Sequence, residues 1–489
     1  MSENKILQFN IENPPNLYAN RGSNFSLDTD NPEENSRIND NIIFQEDSLD
    51  IGKRKKSAYS KAYCGIKGDS VLSGVLNVTV SAIGGGCFSY PYMMSQGGIL
   101  VILFIFLFVT ACIYYSIDLL RSFVVDTKYF SFALMTETIL GTKWLKTYAF
   151  CSFVIYVSMV INYLSSIYMY TKGIFGFEGL LPNIFYFLIT IVIEIIICLY
   201  ISKMSNMMHF LSIVSIASFS LITLSLIVIS IIANIQDDHD NKLVYKNLFF
   251  PNINPNRFSH KLLKVSSFIT AFVFGYSYHS TFPTLLGHLS NVNNSNTTKI
   301  HLISFSIVVF TYMIVTFFGF ILDNDVPIQL FQENGKEFNE ISETFKTPFK
   351  IALIIYLLTL VPIRFIVIRD NYVTLIGKKK IKFLGELVII TIFIFISNIF
   401  VYAISTFQDY IKKWDVSELI QAFGGVFGVM ISFFLPVNNY VSVNGKRKLK
   451  SIIGYLITGF FFIVGVLSFS YTLYKIIIGD DKTEEESSS

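Results

Sequence analysis

Two clusters of helix-breaking residues stand inside apolar stretches long enough to cross a bilayer. The first is Gly84, Gly85 and Gly86, midway along 71–94. Each interior glycine costs a helix about 1 kcal/mol relative to alanine. Within hydrocarbon, no water pairs the backbone groups that an unwound turn releases. A break here therefore lines a protein-enclosed cavity, unless the glycines serve close approach of a neighbouring helix. On the glycines alone the two readings stand level. The second cluster lies in Ser267–Leu286, SFITAFVFGYSYHSTFPTLL, where Gly275 sits among aromatics, His279 follows about one turn later and Pro283 another turn on. Paired helix breaks near the midplane are how many secondary transporters build a solute site, with helix ends and freed carbonyls facing the ligand. Two ionisable groups join this set. His279 is a candidate proton relay near neutral pH, or a hydrogen-bonded packing residue. Glu194, isolated within IVIEIIICL, is an intramembrane carboxylate and so a functional candidate, or a neutral group bonded to a neighbouring helix.

The elements that must position these residues follow from composition. The chain has 489 residues, 52% hydrophobic and 15% charged, with mean hydropathy +0.53, values foreign to ordinary soluble proteins. Windows spanning about 30 Å of hydrocarbon give eleven segments, numbered here spans 1 to 11: 71–94, 98–120, 146–170, 183–201, 208–233, 262–286, 300–322, 349–369, 383–405, 417–437 and 451–477. Pro362, Arg364 and Arg369 crowd the second half of span 8. Three regions result: a polar, disordered, cytosolic tail over 1–66, a transmembrane domain over 67–478 and an acidic tail over 479–489. Connections after even-numbered spans are short and basic, as in Lys378, Lys379, Lys380 and Lys382, while 323–348 on the opposite side is acidic. The positive-inside rule thus places the amino terminus in the cytosol. No cleavable signal opens the chain, so span 1 acts as the insertion signal.

Five cysteines, Cys64, Cys87, Cys112, Cys151 and Cys198, show neither paired nor metal-ligand spacing, so no disulfide framework, metal site or cofactor is expected. No HExxH, GxSxG or His/Asp constellation is present, which argues against an enzyme. The expected partners are a small solute and the lipid bilayer; no nucleic acid is expected.

Breaks in spans 1 and 6 suit an all-α, LeuT-like fold, in which spans 1–5 and 6–10 form a five-plus-five inverted repeat. The residues in order resemble the amino acid/auxin permease family of amino acid transporters. Asn77, then SAIGGGCFSYPY over Ser81–Tyr92, then Gly97 and Gly98, look like its first-span pattern. Ser131–Gly141 resembles the segment before its third span. Asn162, Tyr163 and Leu164 fall within that span, Gly275, His279 and Pro283 in its sixth, Pro362, Ile363 and Arg364 in its eighth, and Glu418–Pro436 in its tenth. The resemblance covers roughly 70–475.

The resemblance implies carriage of free amino acids by rocking of a bundle against a scaffold. An α-carboxylate suits the N–H groups around Gly85, Gly86 and Cys87. The ammonium would face carbonyls of Ala82 and Ile83, beside Gly84, and of Phe272 and Val273. Phe274, Tyr276 and Tyr163 would wall the side-chain pocket, with Gly275 at the break. Sodium-coupled members hold their ion partly through polar side chains where this chain has Val80 and Ile355, which cannot ligate sodium. A proton-coupled carrier or a uniporter is therefore expected, with His279 and Glu194 as proton candidates, in a vacuolar or plasma membrane. A sensor of the same fold, or a carrier for another small organic solute, is the alternative.

Overall fold

The computed structural model describes residues 62–63, 66–67, 69–175, 191, 194–195, 207–236, 258–276, 278–322, 343–377, 383–407, 425–445 and 449–478. Among these residues, seven helices are long and apolar enough to cross a membrane, or eight when the bent pair Val71–Ala82 and Gly86–Gly97 counts as one. Ten of the eleven expected segments are found as helix. Span 4 lies outside the described residues apart from Ile191, Glu194 and Ile195. Most of the amino-terminal tail and all of 479–489 lie outside them too. A two-stranded antiparallel ribbon, Ala62–Tyr63 with Ile66–Lys67, stands just before span 1.

The helices outrun the apolar windows that announced them. Span 2 runs over Ile99–Thr127 and span 3 over Thr142–Phe175, because polar residues at their ends still satisfy the backbone ladder where the chain leaves hydrocarbon. Span 8 is continuous from Glu343 to Leu375, through Pro348 and Pro362, so the crowding of prolines and arginines does not end it. Gly98 separates spans 1 and 2 with φ +81, a left-handed backbone that costs glycine little.

Span 6, expected over 262–286 with a break, is found as two pieces: a helix Phe258–Gly275, a non-helical stretch, and a short helix Phe282–Gly287. Pro283 is at the start of the second piece, where its missing N–H is not needed. Span 8 packs on spans 3 and 5, span 7 (Asn294–Leu322) on spans 1 and 5, and span 6 on span 11 (Leu449–Ile478). Buried tyrosines, among them Tyr156, Tyr163, Tyr312 and Tyr356, fill the centre, whereas Phe104, Phe310, Leu456 and Ile463 point outward. Apolar side chains on the outer face suit contact with lipid rather than water.

Candidate substrate site

The first half of span 1 is an ordinary helix start. Ser70 caps it, its Oγ accepting from the Ser73 N–H at 3.2 Å, and apolar residues carry it to Ala82. At Ile83 the backbone turns extended (φ −70, ψ 115), Gly84 remains extended, and Gly85–Ser89 resume as a tighter 3₁₀ turn before the helix Tyr90–Gly97. The two halves meet at 48°. Neither Gly84 nor Gly86 needs a left-handed φ. What they supply is room: a Cβ on Gly84 would lie 3.3 Å from Tyr163 Oη, and one on Gly86 would lie 3.8 Å from Gly275 Cα. The two breaks therefore touch, backbone against backbone.

An unwound turn buried in protein must find partners for its polar groups. Three side chains supply them. Tyr312 Oη, from the middle of span 7, accepts from the Gly84 N–H at 3.2 Å and lies 2.9 Å from both Ala82 O and Gly275 O. One phenol thus ties both breaks together. Tyr356 Oη donates to Ile83 O at 3.1 Å, and Arg364 Nη2 donates to Ser81 O at 2.7 Å, both from span 8. Ser81 Oγ and Thr281 Oγ1 share a 2.6 Å hydrogen bond that joins the end of the first half of span 1 to the span 6 break. Tyr90 packs between Phe272, tilted at 4.5 Å, and Tyr312, edge-on at 5.4 Å, and it sits where a Gly275 side chain would go.

The expected site residues separate into two groups. Ala82, Ile83, Gly84, Gly86, Cys87, Gly275 and Tyr163 gather at the junction of the breaks, and Cys87 and Tyr163 are buried; Gly85 begins the 3₁₀ turn beside them. Phe274 lies near Gly86. Tyr276 turns the other way: its hydroxyl meets Thr110 Oγ1 of span 2 at 3.0 Å and its ring stacks on Phe305. Val273 O accepts from the Tyr276 N–H at 3.2 Å, and Gly275 O is met by Tyr312 Oη at 2.9 Å. His279 is fully buried beside Tyr278, and neither ring nitrogen has a hydrogen-bond partner among the described residues. Glu194 is buried, its Oε2 accepting from Asn398 Nδ2 of span 9 (Phe383–Phe407) at 3.0 Å. Ile355, the position matched to an ion-holding residue, is 41% exposed, whereas Tyr356 beside it is buried.

Tyr312, Tyr356 and Arg364 carry the site without having been singled out for it. The signal was present for one of them: a charge inside an apolar span is expensive enough to need a purpose, and Arg364 is legible in the sequence as part of the eighth-span pattern, though not as the partner of the span 1 break. The two tyrosines carry no such mark.

The profile of the family described as "Transmembrane amino acid transporter protein" matches residues 67–478. The chain belongs to this family. No curated protein sequence matches it significantly. Among solved structures, this amino acid transporter family member is similar to the manganese transporter of Eremococcus coleocola in complex with an aromatic bis-isothiourea substituted compound. Identity is 11% over 84% of this chain and 88% of that one, with a TM-score of 0.56. A variant of that manganese transporter gives 12% identity over 87% and 92%, with a TM-score of 0.55. At such identity the likeness shows the fold, which is the LeuT-like one. The chain is a membrane solute transporter and not an enzyme.

Proposed function

We propose that this transporter carries free amino acids by alternating access about the joined breaks of spans 1 and 6, as a proton-coupled carrier or a uniporter. The observation that carries the reading is the Tyr312 tie, which holds Gly84 N–H, Ala82 O and Gly275 O at one point. Both kinds of backbone pole lie within a few residues there. The N–H groups of Gly85 and Gly86 suit an α-carboxylate, with Cys87 next to them donating its own N–H to Gly84 O at 3.4 Å. The carbonyls of Ala82, Ile83 and Gly275 suit an ammonium, because each keeps a second lone pair after accepting from tyrosine. Tyr163 and Phe274 border this point. A divalent cation fits poorly: among the described residues, no three His, Cys, Asp or Glu gather as ligands, and the charged side chain at the break is the cation Arg364.

His279 and Glu194 are the proton candidates, and they are separable. If Glu194→Gln leaves the pH dependence of flux unchanged, Glu194 is a packing residue held by Asn398. A vacuolar or plasma membrane, with the amino terminus in the cytosol, fits the charge pattern. The decisive test is counterflow of labelled amino acids into proteoliposomes, with and without an inward proton gradient. Saturable exchange that is lost in Gly85→Leu supports the reading, and its response to the gradient separates proton coupling from uniport. Saturable binding without flux would instead favour a sensor.

A further inference from the structure

Two histidines stand between the span 6 break and the end of the bundle that the charge pattern assigns to the cytosol. His279 follows the break, His301 lies in the early turns of span 7, and both are fully buried. Among the described residues, none of their four ring nitrogens has a hydrogen-bond partner, and neither does the hydroxyl of the buried Tyr278. A neutral imidazole carries one donor and one acceptor, and buried polar groups left open call for an explanation. The rings follow one another. His279 lies 5.8 Å from Tyr278, Tyr278 6.1 Å from Phe282, Phe282 5.9 Å from His301, and His301 stacks on Tyr114 of span 2 at 4.5 Å. The two imidazoles are close enough for a charge on one to act on the other. One turn beyond Tyr114 stands the clasp of Asp118 and Arg121, joined at 2.9 and 2.7 Å and tied to Asn294, and His301 is within reach of both charges.

Among the described residues, few other titratable groups face the pair. Val71–Ala82 of span 1 and Phe210–Ile231 of span 5, both packed on span 7, contain none. The second half of span 1 meets span 7 about three turns further on, at Tyr312. Tyr148 and Tyr156 of span 3 lie beside Ser280, and Arg364 is turned to Ser81 O. No third His, Cys, Asp or Glu completes a metal site there, whereas a proton needs only an imidazole lone pair. We propose that His279 and His301 together form the proton site of the carrier, reached from the Asp118–Arg121 end, with His301 rather than Glu194 as the second titrating residue. A ring nitrogen takes a proton from hydronium at the opened end, an N–H bond forming as an O–H bond breaks and water is left; release reverses the step. With the clasp closed, a charged ring would be buried without an acceptor, so uptake belongs to the conformation in which that end is open. His279 is among the residues that carry the family resemblance and His301 is not, so the pair is no part of that pattern.

This assignment rests on the reading of the chain as an amino acid carrier, and the test keeps the two apart. The full chain in proteoliposomes is assayed for uptake of labelled amino acids with and without an inward gradient of one pH unit. The ratio of the two is read, so that a general loss of activity cancels. One coupled proton makes that gradient worth about ten-fold, and the native ratio is expected to approach this value. His301→Gln and His279→Gln keep a polar side chain that takes up no proton; each should bring the ratio to about one, and the double variant should do no more, since the pair acts as a unit. The proposal is overturned if His301→Gln keeps the native ratio, or if only His279→Gln loses it. It is also overturned if the native protein exchanges amino acids without responding to the gradient, in which case carriage stands as uniport. A native protein that exchanges no amino acid sinks the functional reading alone. In that case, or where the variants do not fold, spectra of isotope-labelled histidine in the native full chain decide, recorded in lipid nanodiscs over about pH 5 to 8. Two buried imidazoles are expected to titrate as a coupled pair, with midpoints that move in Asp118→Asn; uptake of a proton by fewer than two overturns the assignment.

Discussion

Tyr312→Phe isolates the tie between the two breaks. The ring is kept, along with its packing at 5.4 Å from Tyr90 and 5.2 Å from Tyr276, so the perturbation is one oxygen. That oxygen accepts from Gly84 N–H and donates to either Ala82 O or Gly275 O, each 2.9 Å away. A hydroxyl has a single proton, so two bonds are lost at any instant rather than three. Leaving a buried donor or acceptor unpaired costs about 1–3 kcal/mol. Two such losses, partly relieved by water entering the gap, come to about 2–4 kcal/mol. If the tie is specific to the conformation that holds solute, that conformation becomes about 30- to 1000-fold rarer. Counterflow at subsaturating solute should fall by at least the lower factor, while size-exclusion shows folded protein. Exchange within about two-fold of the native rate would refute the reasoning, because it would mean that the knot of three backbone groups is not what holds the working conformation.

Gly275→Ala should destabilise the protein by about 1–3 kcal/mol or more through overpacking, since the added Cβ would lie 1.8 Å from Tyr90 Oη and 3.0 Å from its Cζ. Adding Tyr90→Phe in the same chain removes the closer contact and should recover part of the loss in thermal unfolding; no recovery would count against the contact. Asn398→Leu takes away the donor at 3.0 Å from Glu194 Oε2 and should cost about 1–3 kcal/mol of stability, whereas Glu194→Gln, which keeps an acceptor for Asn398, should cost less; the reverse order would contradict the packing geometry. Arg121 clasps Asp118 Oδ1 at 2.9 and 2.7 Å and reaches Asn294 at the start of span 7, on the side that the charge pattern assigns to the cytosol. Arg121→Ala should loosen that end and speed labelling of the buried Cys87 by a membrane-permeant thiol reagent, and an unchanged labelling rate would show that the clasp does not close the site.

How legible was this in the sequence? Hydropathy located ten helices because a span must be apolar over a fixed length, and that demand leaves a mark in every window. The breaks were legible for a related reason: Gly84–Gly86 and Gly275 with Pro283 violate helix propensity where nothing nearby rewards the violation. Helix ends were read short, as with Thr127 against 120, since polar residues continue a helix beyond the bilayer without changing its backbone bonding. The partners of the breaks were not legible. Tyr312 and Tyr356 lie more than 200 residues from Gly84 in sequence, and a tyrosine that caps a carbonyl looks the same in one dimension as a tyrosine that packs. Which side chain faces the break was not legible for a subtler reason, because one residue turns a helix by about 100°: Ile355 is exposed while Tyr356 reaches the break.

The capping pattern also explains why a break can exist here and still move. Carbonyls opened in hydrocarbon without partners would each cost several kcal/mol, and a break built from backbone alone would have to refold to a helix whenever solute left. Ser81, Ala82 and Ile83 instead hand their oxygens to side chains rooted in spans 7 and 8. Their satisfaction thus belongs to the packing of span 1 against its neighbours. Any motion that separates span 1 from spans 7 and 8 must give up these bonds, and any ligand that offers the same carbonyls an ammonium repays part of the loss. That exchange is a differential interaction of the solute with two conformations, which is what population shift requires. It follows that the side chains bridging the spans, more than the glycines that permit the break, set the energy gap across which the carrier works.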